Sequence, residues 1–354
     1  MKEGWTYKKL VDLCTIRTGK RDANHAKEDG AYRFYTCAAQ YVYCDTYSFD
    51  GDCLILPGNG ANVGDVYMYS GKFDAYQRTY VLSNINREEI YFKYLYYFFL
   101  GNWRRKGTAN QYGTATNYII MSNFTGFTIG YPTLSEQQHI AEELDLLSSI
   151  IEKKKAQLNE LDNMSQSLFY EMFGDPITND KGWEVKKLSE VCKLFAGGDV
   201  PKERFSKIKT EEYQVPIYSN GVEEHGLYGY TDIPKVTDKC ITISGRGTIG
   251  HVEKRCEAFY PIIRLLVVIP IIPMDISYLT YLATIKEFKG NGGAIPQLTV
   301  PMIKDTLCPL PPLDLQNQFA SKIETIEHQK ELIKMSISEV EILFNSRMDL
   351  WFNK

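Results

Sequence analysis

Basic and amide side chains gather in the predicted loops of both halves of this 354-residue chain. Arginine matches the acceptors of guanine, asparagine and glutamine match the edge of adenine, and lysine attracts phosphate oxygens. Side chains of these types, spread over several loops, predict a surface that hydrogen-bonds to a nucleic acid. The candidates in the first half are Lys20, Arg21, Asn59, Asn62, Arg104, Arg105, Lys106 and Asn117. The candidates in the second half are Lys202, Tyr218, Asn220, Arg246, Thr248, Asn291 and Gln297.

Two glycine-rich turns carry the leading candidates, Asn59 and Arg246. Each turn follows a short apolar run that predicts a buried strand, and the turns span residues 58–64 and 245–250. The first turn is one residue longer than the second. Contacts made by one turn are therefore not expected to transfer residue by residue to the other.

Sequence motifs for catalysis are missing from the chain. Residues 245–250 fit GxGxxG, but the residues after them predict a turn and a strand instead of the helix that a pyrophosphate site needs. The sequence contains no GxxxxGK phosphate loop, no GxSxG nucleophile turn and no HExxH zinc motif. Its eight cysteines form no CxxC pair and its five histidines are scattered, so no metal site is predicted. We expect a binding protein that is not itself an enzyme.

Two long amphipathic helices are predicted to position these loops, at residues 135–173 and 314–354. Apolar residues recur in the first helix at alternating spacings of three and four, which is the narrow seam of a coiled coil. A seam of this length needs a second long helix to cover it, and the other long helix of the chain is the expected partner. The seam residues of the first helix are Ile140, Leu144, Leu147, Ile151, Leu158, Leu161 and Leu168. The same register returns 179 residues later as Phe319, Ile323, Ile326, Ile333, Ile337, Val340 and Phe344.

Capping residues set the predicted ends of these helices. Ser135, with Gln138 three residues on, is expected to cap the first helix, and Asp314 is its counterpart in the second. Gly174 and Pro176 are expected to end the first helix. At about 1.5 Å per residue, each helix is then about 55–60 Å long.

The two halves repeat one another along nearly the whole chain. The opening residues 4–10, GWTYKKL, return at residues 182–188 as GWEVKKL. The helix start PTLSEQQ at residues 132–138 matches PPLDLQN at residues 311–317. The sequence therefore predicts two units of the same design, each followed by its long helix.

This order predicts an α+β fold in which two small mixed α/β domains are separated by two long helices. The chain leaves the first helix, builds a domain and returns, so the helices are expected to form an antiparallel coiled coil with approximate two-fold symmetry. The expected divisions are residues 1–134 for the first domain, 135–173 for the first long helix, 174–181 for a linker, 182–313 for the second domain and 314–354 for the second long helix.

Charge is distributed unevenly along the chain, whose net charge is −4. The predicted domains carry +3 and +1, whereas residues 135–181 and 314–354 carry −6 and −2. The mild acidity excludes a polybasic binder, and the distribution favours the domains as the parts that face a polyanion. The most apolar run, residues 260–274, is interrupted by an arginine and three prolines, and the first residues carry no apolar export signal. A cytoplasmic protein is expected.

The doubled pattern of a GWxxKKL opening, a glycine-turn domain, a PxLxxQ helix start and a helix ending in FGDP resembles the specificity subunit of type I restriction-modification enzymes. The most specific segment is EMFGDPITNDKGWEVKKL at residues 171–188, and the resemblance covers essentially the full chain.

The resemblance implies that the two domains are target-recognition domains, each reading one half of a bipartite, asymmetric site on double-stranded DNA. The paired helices would set the spacer between the halves and dock two modification (methyltransferase) subunits, which restriction and translocase subunits join. S-adenosylmethionine, ATP and magnesium would belong to those partners and not to this chain. Because the loops of the two domains differ, the two half-sites are expected to differ.

Three alternatives remain open at this point. One is a specificity subunit of a related system that cuts on both sides of its site, or of an orphan methylation system. Another is a single-chain nuclease or methyltransferase, against which the missing motifs count. The third is a coiled-coil adaptor without sequence readout. The half-site sequences do not follow from the residues, because base readout depends on loop geometry and bridging water.

Overall fold

The structure of the protein, a computed structural model, describes residues 2–108, 117–291 and 296–352. The predicted loops ahead of the long helices fall partly beyond these ranges, since residues 113–116 and 293–295 lie outside the described residues. Within the described ranges, no helix combines the length and the apolar composition that a membrane crossing requires.

Contacts within the chain divide it into two compact units. Unit 1 contains residues 1–155 and 335–354, and unit 2 contains residues 156–334. Each unit holds one α/β domain and a part of each long helix.

Short strands pair into small sheets in unit 1. The described strands are β1 (Thr6–Lys9), β2 (Thr15–Thr18), β3 (Tyr32–Tyr35), β4 (Val42–Cys44), β5 (Asp52–Pro57), β6 (Tyr67–Ser70), β7 (Phe73–Ala75), β8 (Thr79–Ser83) and β9 (Thr128–Tyr131). They pair in the orders β1-β9, β2-β8-β5-β6 and β4-β3-β7, where β3 and β7 run parallel and the other neighbours run antiparallel.

The central strands of unit 1 lie between two apolar cores, because successive side chains of a strand point to opposite faces. Leu54 and Leu56 of β5 enter the larger core, and Cys53 and Ile55 enter the smaller core on the other face. A strand buried on both faces has an unbroken apolar sequence, which is what the run CLIL shows.

Helices cover the larger core of unit 1. Helix α1 (Phe92–Asn102) continues into a π-helical turn, Trp103–Gly107. The turn brings Trp103 fully inside, where its ring stacks on Phe124 of helix α2 (Met121–Thr125) with ring centroids 4.6 Å apart.

Unit 2 repeats the topology of unit 1 strand for strand. Its described strands are β10 (Glu184–Lys187), β11 (Cys192–Ala196), β12 (Val215–Tyr218), β13 (Leu227–Thr231), β14 (Cys240–Ile243), β15 (Val252–Arg255), β16 (Tyr260–Pro261), β17 (Leu266–Pro270) and β18 (Leu307–Leu310). They pair in the orders β10-β18, β11-β17-β14-β15 and β13-β12-β16, and β12 and β16 are parallel, as β3 and β7 are. The helices of the chain, besides α1 and α2, are α3 (Leu134–Phe173), α4 (Leu188–Val191), α5 (Ile276–Ile285), α6 (Val300–Ile303) and α7 (Leu313–Phe352).

The long helices α3 and α7 pair within each unit. In unit 1, Glu143 of α3 accepts hydrogen bonds from Arg347 and Trp351 of α7, and Lys155 forms a 3.0 Å ion pair with Glu341. Residues further along α3 contact residues earlier in α7, so the two helices run antiparallel in unit 1, as predicted.

The same direction holds in unit 2. Asp162 of α3 pairs with Lys330 of α7 at 2.6 Å, and Phe169 contacts Phe319 with ring centroids 5.7 Å apart. Each of the fourteen predicted seam residues is buried or half-buried. The coiled-coil pair expected from the sequence is therefore present.

The predicted cap of the first long helix is wrong. Helix α3 begins at Leu134, one residue before Ser135. Thr133 caps it instead, because its hydroxyl donates to the carboxylate of Glu136 (2.9 Å) and accepts from the Glu136 backbone N–H (3.4 Å). The T-x-x-E capping box two residues upstream of the predicted one forms here. Asp314 likewise lies inside the first turn of α7, which begins at Leu313.

Candidate nucleic-acid interface

Loops of unit 1 meet at one end of its central sheet, where β2 and β5 end and β8 begins. We term this group loop cluster 1. Backbone hydrogen bonds join the loops into a single surface and fix their relative positions. The cluster comprises residues 19–21, 35–38, 58–64, 76–79 and 117–119. The bonds run from the N–H of Gly19 to Thr79, of Gln77 to Arg21, of Tyr76 to Tyr35, of Gly60 to Asn117 and of Ile119 to Gly58.

The three predicted asparagines of unit 1 all lie in loop cluster 1. Asn59 is half-buried and forms an antiparallel bridge with Tyr118, whereas Asn117 is exposed. The side-chain amide of Asn62 donates to the carbonyl of Cys37 (2.8 Å). Asn62 therefore ties two loops together, while Asn59 and Asn117 lie at the surface of the cluster.

Arg21 is held in place by a buried carboxylate. Its Nε donates to Asp74 Oδ2 (3.4 Å), and the same oxygen accepts from the hydroxyl of Thr46 (2.9 Å), which lies 2.8 Å from His25 Nε2. His25, Asp74 and Cys44 also bring three potential metal-ligand atoms within 4.8 Å of one another. Because Asp74 is already paired with the Arg21 guanidinium and bonded to Thr46, the arrangement serves to position Arg21 beside the exposed Lys20.

The predicted basic run of residues 104–106 does not act as one patch. Arg104 belongs to the edge of loop cluster 1, since it pairs with Asp65 and packs on Gly64. Arg105 is exposed. Lys106 lines a separate cavity between the N-terminal segment and the end of α7, where burial lowers its pKa.

Loops of unit 2 form the equivalent group, which we term loop cluster 2. They meet where β11 and β14 end and β17 begins. The cluster comprises residues 197–198, 218–221, 244–250, 262–265 and 296–298. The backbone bonds run from the N–H of Gly197 to Leu265, of Ile263 to Gly198, of Ile262 to Tyr218 and of Leu298 to Gly245.

Arginine side chains converge on one amide in loop cluster 2. Gln297 Oε1 accepts a hydrogen bond from Arg246 Nη2 (3.1 Å) and a second from Arg264 Nη1. The Nε of Arg246 is buried and has no hydrogen-bond partner among the described residues. Two of the predicted residues, Arg246 and Gln297, thus bond to each other directly, and Arg264, which the sequence analysis did not select, bonds to the same amide oxygen.

Asn220 and Tyr218 have supporting positions. The Asn220 amide donates to the carbonyl of Ile263 (2.5 Å) and accepts from the N–H of Gly245 (2.7 Å), so it joins two loops of cluster 2. Tyr218 is only 8% exposed, and its hydroxyl donates to Glu257. Burial raises the pKa of Tyr218 to about 12. A ring packed in this way argues against a direct base contact by Tyr218.

The remaining predicted residues of unit 2 are exposed at the margin of loop cluster 2. Thr248 lies in the glycine turn, which joins the antiparallel strands β14 and β15 as predicted. Asn291 exchanges backbone hydrogen bonds of 3.1 and 3.0 Å with Gln297. Lys202 is exposed and lines a shallow cavity that reaches Ile263.

Arg78 and Arg264 are the cluster residues that sequence reasoning missed. Arg78 lies before β8 and Arg264 lies before β17. The carbonyl of each approaches the first glycine of the neighbouring turn, Gly58 or Gly245. The signal for their equivalence was concealed, because they are 186 residues apart while the helices repeat at 179. The unequal loop lengths between the matching strands produce this difference.

A comparison with protein-family models matches two segments of the chain, residues 2–163 and 180–342, to the type I restriction modification DNA specificity domain. The two matched segments correspond to the two topological repeats and together cover most of the sequence.

Individual relatives carry the same description. A type I specificity subunit of Mycoplasma pneumoniae is 31% identical over 296 residues, covering 79% of this chain and 86% of that protein. A second one from the same organism is 27% identical over 340 residues, with coverages of 91% and 88%. The EcoDI specificity subunit of Escherichia coli is 39% identical over 157 residues, which is 44% of this chain and 34% of that subunit.

Solved structures show the same fold. The crystal structure of a type I restriction-modification S subunit from M. genitalium aligns with a TM-score of 0.67 at 16% identity, covering 99% of this chain and 96% of that one. A structure from work on assembly and conformational transition of the type I system aligns with a TM-score of 0.56 and coverages of 99% and 98%. With its doubled domain, its paired long helices and its two matched segments, the chain belongs to the specificity subunits of type I restriction-modification enzymes, which recognise DNA sequence.

Proposed function

We propose that each domain reads one half of a bipartite, asymmetric DNA site through its loop cluster. The observation that carries the proposal is that the two clusters share one loop framework and differ in the side chains it displays. Where cluster 1 has Asn59 and Tyr118, cluster 2 has Arg246 and Gln297. A common framework with different hydrogen-bonding groups suits two half-sites of different sequence.

The charge distribution supports this orientation toward DNA. The domains carry the net positive charge, and the segments that contain the long helices carry −6 and −2. Phosphate repulsion disfavours the helices as the DNA-facing surface. The weak positive charge of each domain indicates that tight binding needs additional contacts from other subunits.

The long helices are proposed to fix the spacer between the half-sites and to dock two modification subunits. Large apolar side chains remain exposed on them in both units, including Leu146 (63%) and Ile342 (67%) in unit 1 and Met164 (55%) and Leu332 (52%) in unit 2. Exposed apolar residues on the outer faces of a helix pair fit a protein partner. In this proposal the methyltransferase, restriction and translocase activities, with S-adenosylmethionine, ATP and Mg²⁺, belong to the partners.

The test is methylation sequencing of a reconstituted complex. The chain is co-expressed with a type I modification subunit with which it forms a stable complex, and host DNA is sequenced for N6-methyladenine. The expected result is one bipartite motif with a fixed spacer, in which replacing residues 1–134 changes one half and replacing residues 182–313 changes the other. A stable complex that methylates no defined motif would contradict readout by the domains and leave a scaffold role.

A further inference from the structure

The turn before β17 holds consecutive residues in a left-handed backbone conformation. The φ angle is +41° at Ile263 and +63° at Arg264. This region is costly for a β-branched residue and persists only where the surroundings enforce it. Here the N–H of Ile263 donates to Gly198 (2.7 Å) and its carbonyl accepts from Asn220 (2.5 Å). The surrounding loops therefore hold Arg264 in a fixed place at the surface.

The guanidinium groups of Arg264 and Arg246 share the single acceptor Gln297 Oε1. Neither arginine forms an ion pair with a carboxylate within the described ranges, and the segments outside those ranges contain no aspartate or glutamate. A neutral amide oxygen orients both groups but neutralises neither. The pair consequently offers oriented donors and uncompensated positive charge to an acceptor outside the protein.

Arg78 occupies the matching position in loop cluster 1. Gln77, the residue before Arg78, donates its N–H to the carbonyl of Arg21. Ile263, the residue before Arg264, donates in the same way to the carbonyl of Gly198. The Arg78 side chain is exposed and, in the part of the chain that the structure describes, it also has no carboxylate partner. The same residue type thus stands at the same point of both clusters.

We propose that Arg264 and Arg78 are specificity-determining residues, each of which contacts a guanine in the half-site that its domain reads. This inference rests on the proposed function. A guanidinium donates to two acceptors at once, and guanine presents such a pair, O6 and N7, in the major groove. Phosphate oxygens offer the same acceptor chemistry, so the experiment must separate a base contact from a backbone contact. The second half-site, read with the additional Arg246, is expected to be the richer in guanine.

The test uses the whole complex and the wild-type motif as its reference. Arg264→Ala is expected to relax one guanine position of the second half-site and leave the first half-site unchanged, whereas Arg78→Ala does the reverse. Loss of a bidentate contact corresponds to a loss of discrimination of about 5- to 150-fold at that position. Arg264→Lys keeps the charge but not the fork and is expected to leave the position relaxed.

Controls separate a base contact from a general effect. Lys239→Ala and Arg87→Ala remove exposed cations outside the two clusters and are expected to leave the motif intact. Uniformly weaker methylation at an unchanged motif, restored by Arg264→Lys, would assign Arg264 to phosphate and overturn the inference while the proposed function stands. Absence of any motif in the wild-type complex would instead overturn the proposed function itself.

Discussion

Gln137 and Gln316 lie 179 residues apart and share two matching hydrogen bonds in their respective units. Oε1 of each accepts a backbone N–H from the segment that starts the domain's helix, Tyr91 for Gln137 and Asp275 for Gln316, both at 2.9 Å. Nε2 of each donates to the carbonyl of a proline five residues upstream, at 2.9 and 2.8 Å. Both side chains are buried. The PxLxxQ motif therefore attaches each domain to the first turn of its long helix.

Replacing Gln316 with leucine is expected to destabilise the protein. The substitution leaves the partly buried N–H of Asp275 without its acceptor, and a fully buried donor in that state costs about 1–3 kcal/mol, which is the upper bound here. Gln137→Leu should behave alike in unit 1. Denaturant unfolding measures the free energy of unfolding, and the exposed Gln138→Leu is the matched control. Equal effects at positions 137 and 138 would refute the role of the buried glutamine in attaching the domain to the helix.

The seam between α3 and α7 gives a second prediction. Ile326 is 4% exposed, whereas Leu332, on the same helix, is 52% exposed. Truncating a buried isoleucine to alanine costs about 2–5 kcal/mol, because apolar burial is lost and a cavity remains. Ile326→Ala should therefore lower the midpoint of thermal unfolding clearly, and Leu332→Ala should change it little. If Leu332→Ala instead abolishes assembly with the modification subunit, the result supports docking on the exposed face.

The fold was largely predictable, because its strongest signals are periodic. The 179-residue repeat and the heptad seam depend on local spacing and predicted both the helices and their antiparallel pairing. The cap at Thr133 was missed because Ser135 and Thr133 both offer a hydroxyl that can cap a helix. What distinguishes Thr133 is the glutamate at the third position after it, which bonds back to its hydroxyl.

The candidate site was predictable only in part. Residues of the glycine turns were found because those turns carry a recognisable signature. Arg264 was missed because its importance comes from tertiary contacts with Gln297 and Gly197 and from a left-handed φ that no local pattern indicates. Tyr218 was selected from its residue type, but the β12 side chain points into the smaller core of unit 2.

Stability in unit 1 should fall at acidic pH through Glu143. Burial raises the pKa of its carboxyl, but hydrogen bonds from Arg347 and Trp351 outweigh that effect and hold the pKa below its ordinary value. A depressed folded-state pKa stabilises the protein above the unfolded-state pKa of about 4.3, and the contribution is lost as pH falls through the folded value.

The measurement for Glu143 is the unfolding midpoint at several pH values. Glu143→Gln should be less stable than wild type at pH 7, and the difference should shrink as the pH is lowered through about 4. Glu160→Gln, at an exposed position of the same helix, is the control and should show no such convergence. A pH-independent difference would show that Glu143 acts through packing alone.

Thiol labelling should separate the cysteines that react with a reagent at neutral pH from those that burial keeps unreactive. Burial raises the pKa of Cys192, Cys240 and Cys308 to about 12, so almost no thiolate forms at neutral pH. Cys256 is exposed and Cys37 is half-buried. A maleimide reagent at pH 7 should therefore modify Cys256 first and Cys37 next, and mass spectrometry identifies the sites. Rapid labelling of Cys308 in the native protein would contradict the packing of β18.

The Gly58→Ala variant tests whether readout of DNA requires the loop framework in addition to individual side chains. A Cβ at Gly58 would lie 2.1 Å from the carbonyl oxygen of Arg78, so Gly58→Ala must displace the turn from the adjoining loop. Overpacking of this kind costs about 1–3 kcal/mol, which a domain of this size tolerates.

Gly58→Ala is expected to erase specificity in the first half-site and to preserve the second, because loop cluster 2 belongs to a separate unit. Gly126→Ala is the matched control in unit 1, since the nearest atom to its Cβ is 3.7 Å away. Methylation sequencing of the co-expressed complex reads both halves at once. An unchanged first half-site in Gly58→Ala would mean that readout in unit 1 does not depend on the contact between residues 58 and 78, and loss of both halves would mean that the domains do not read independently.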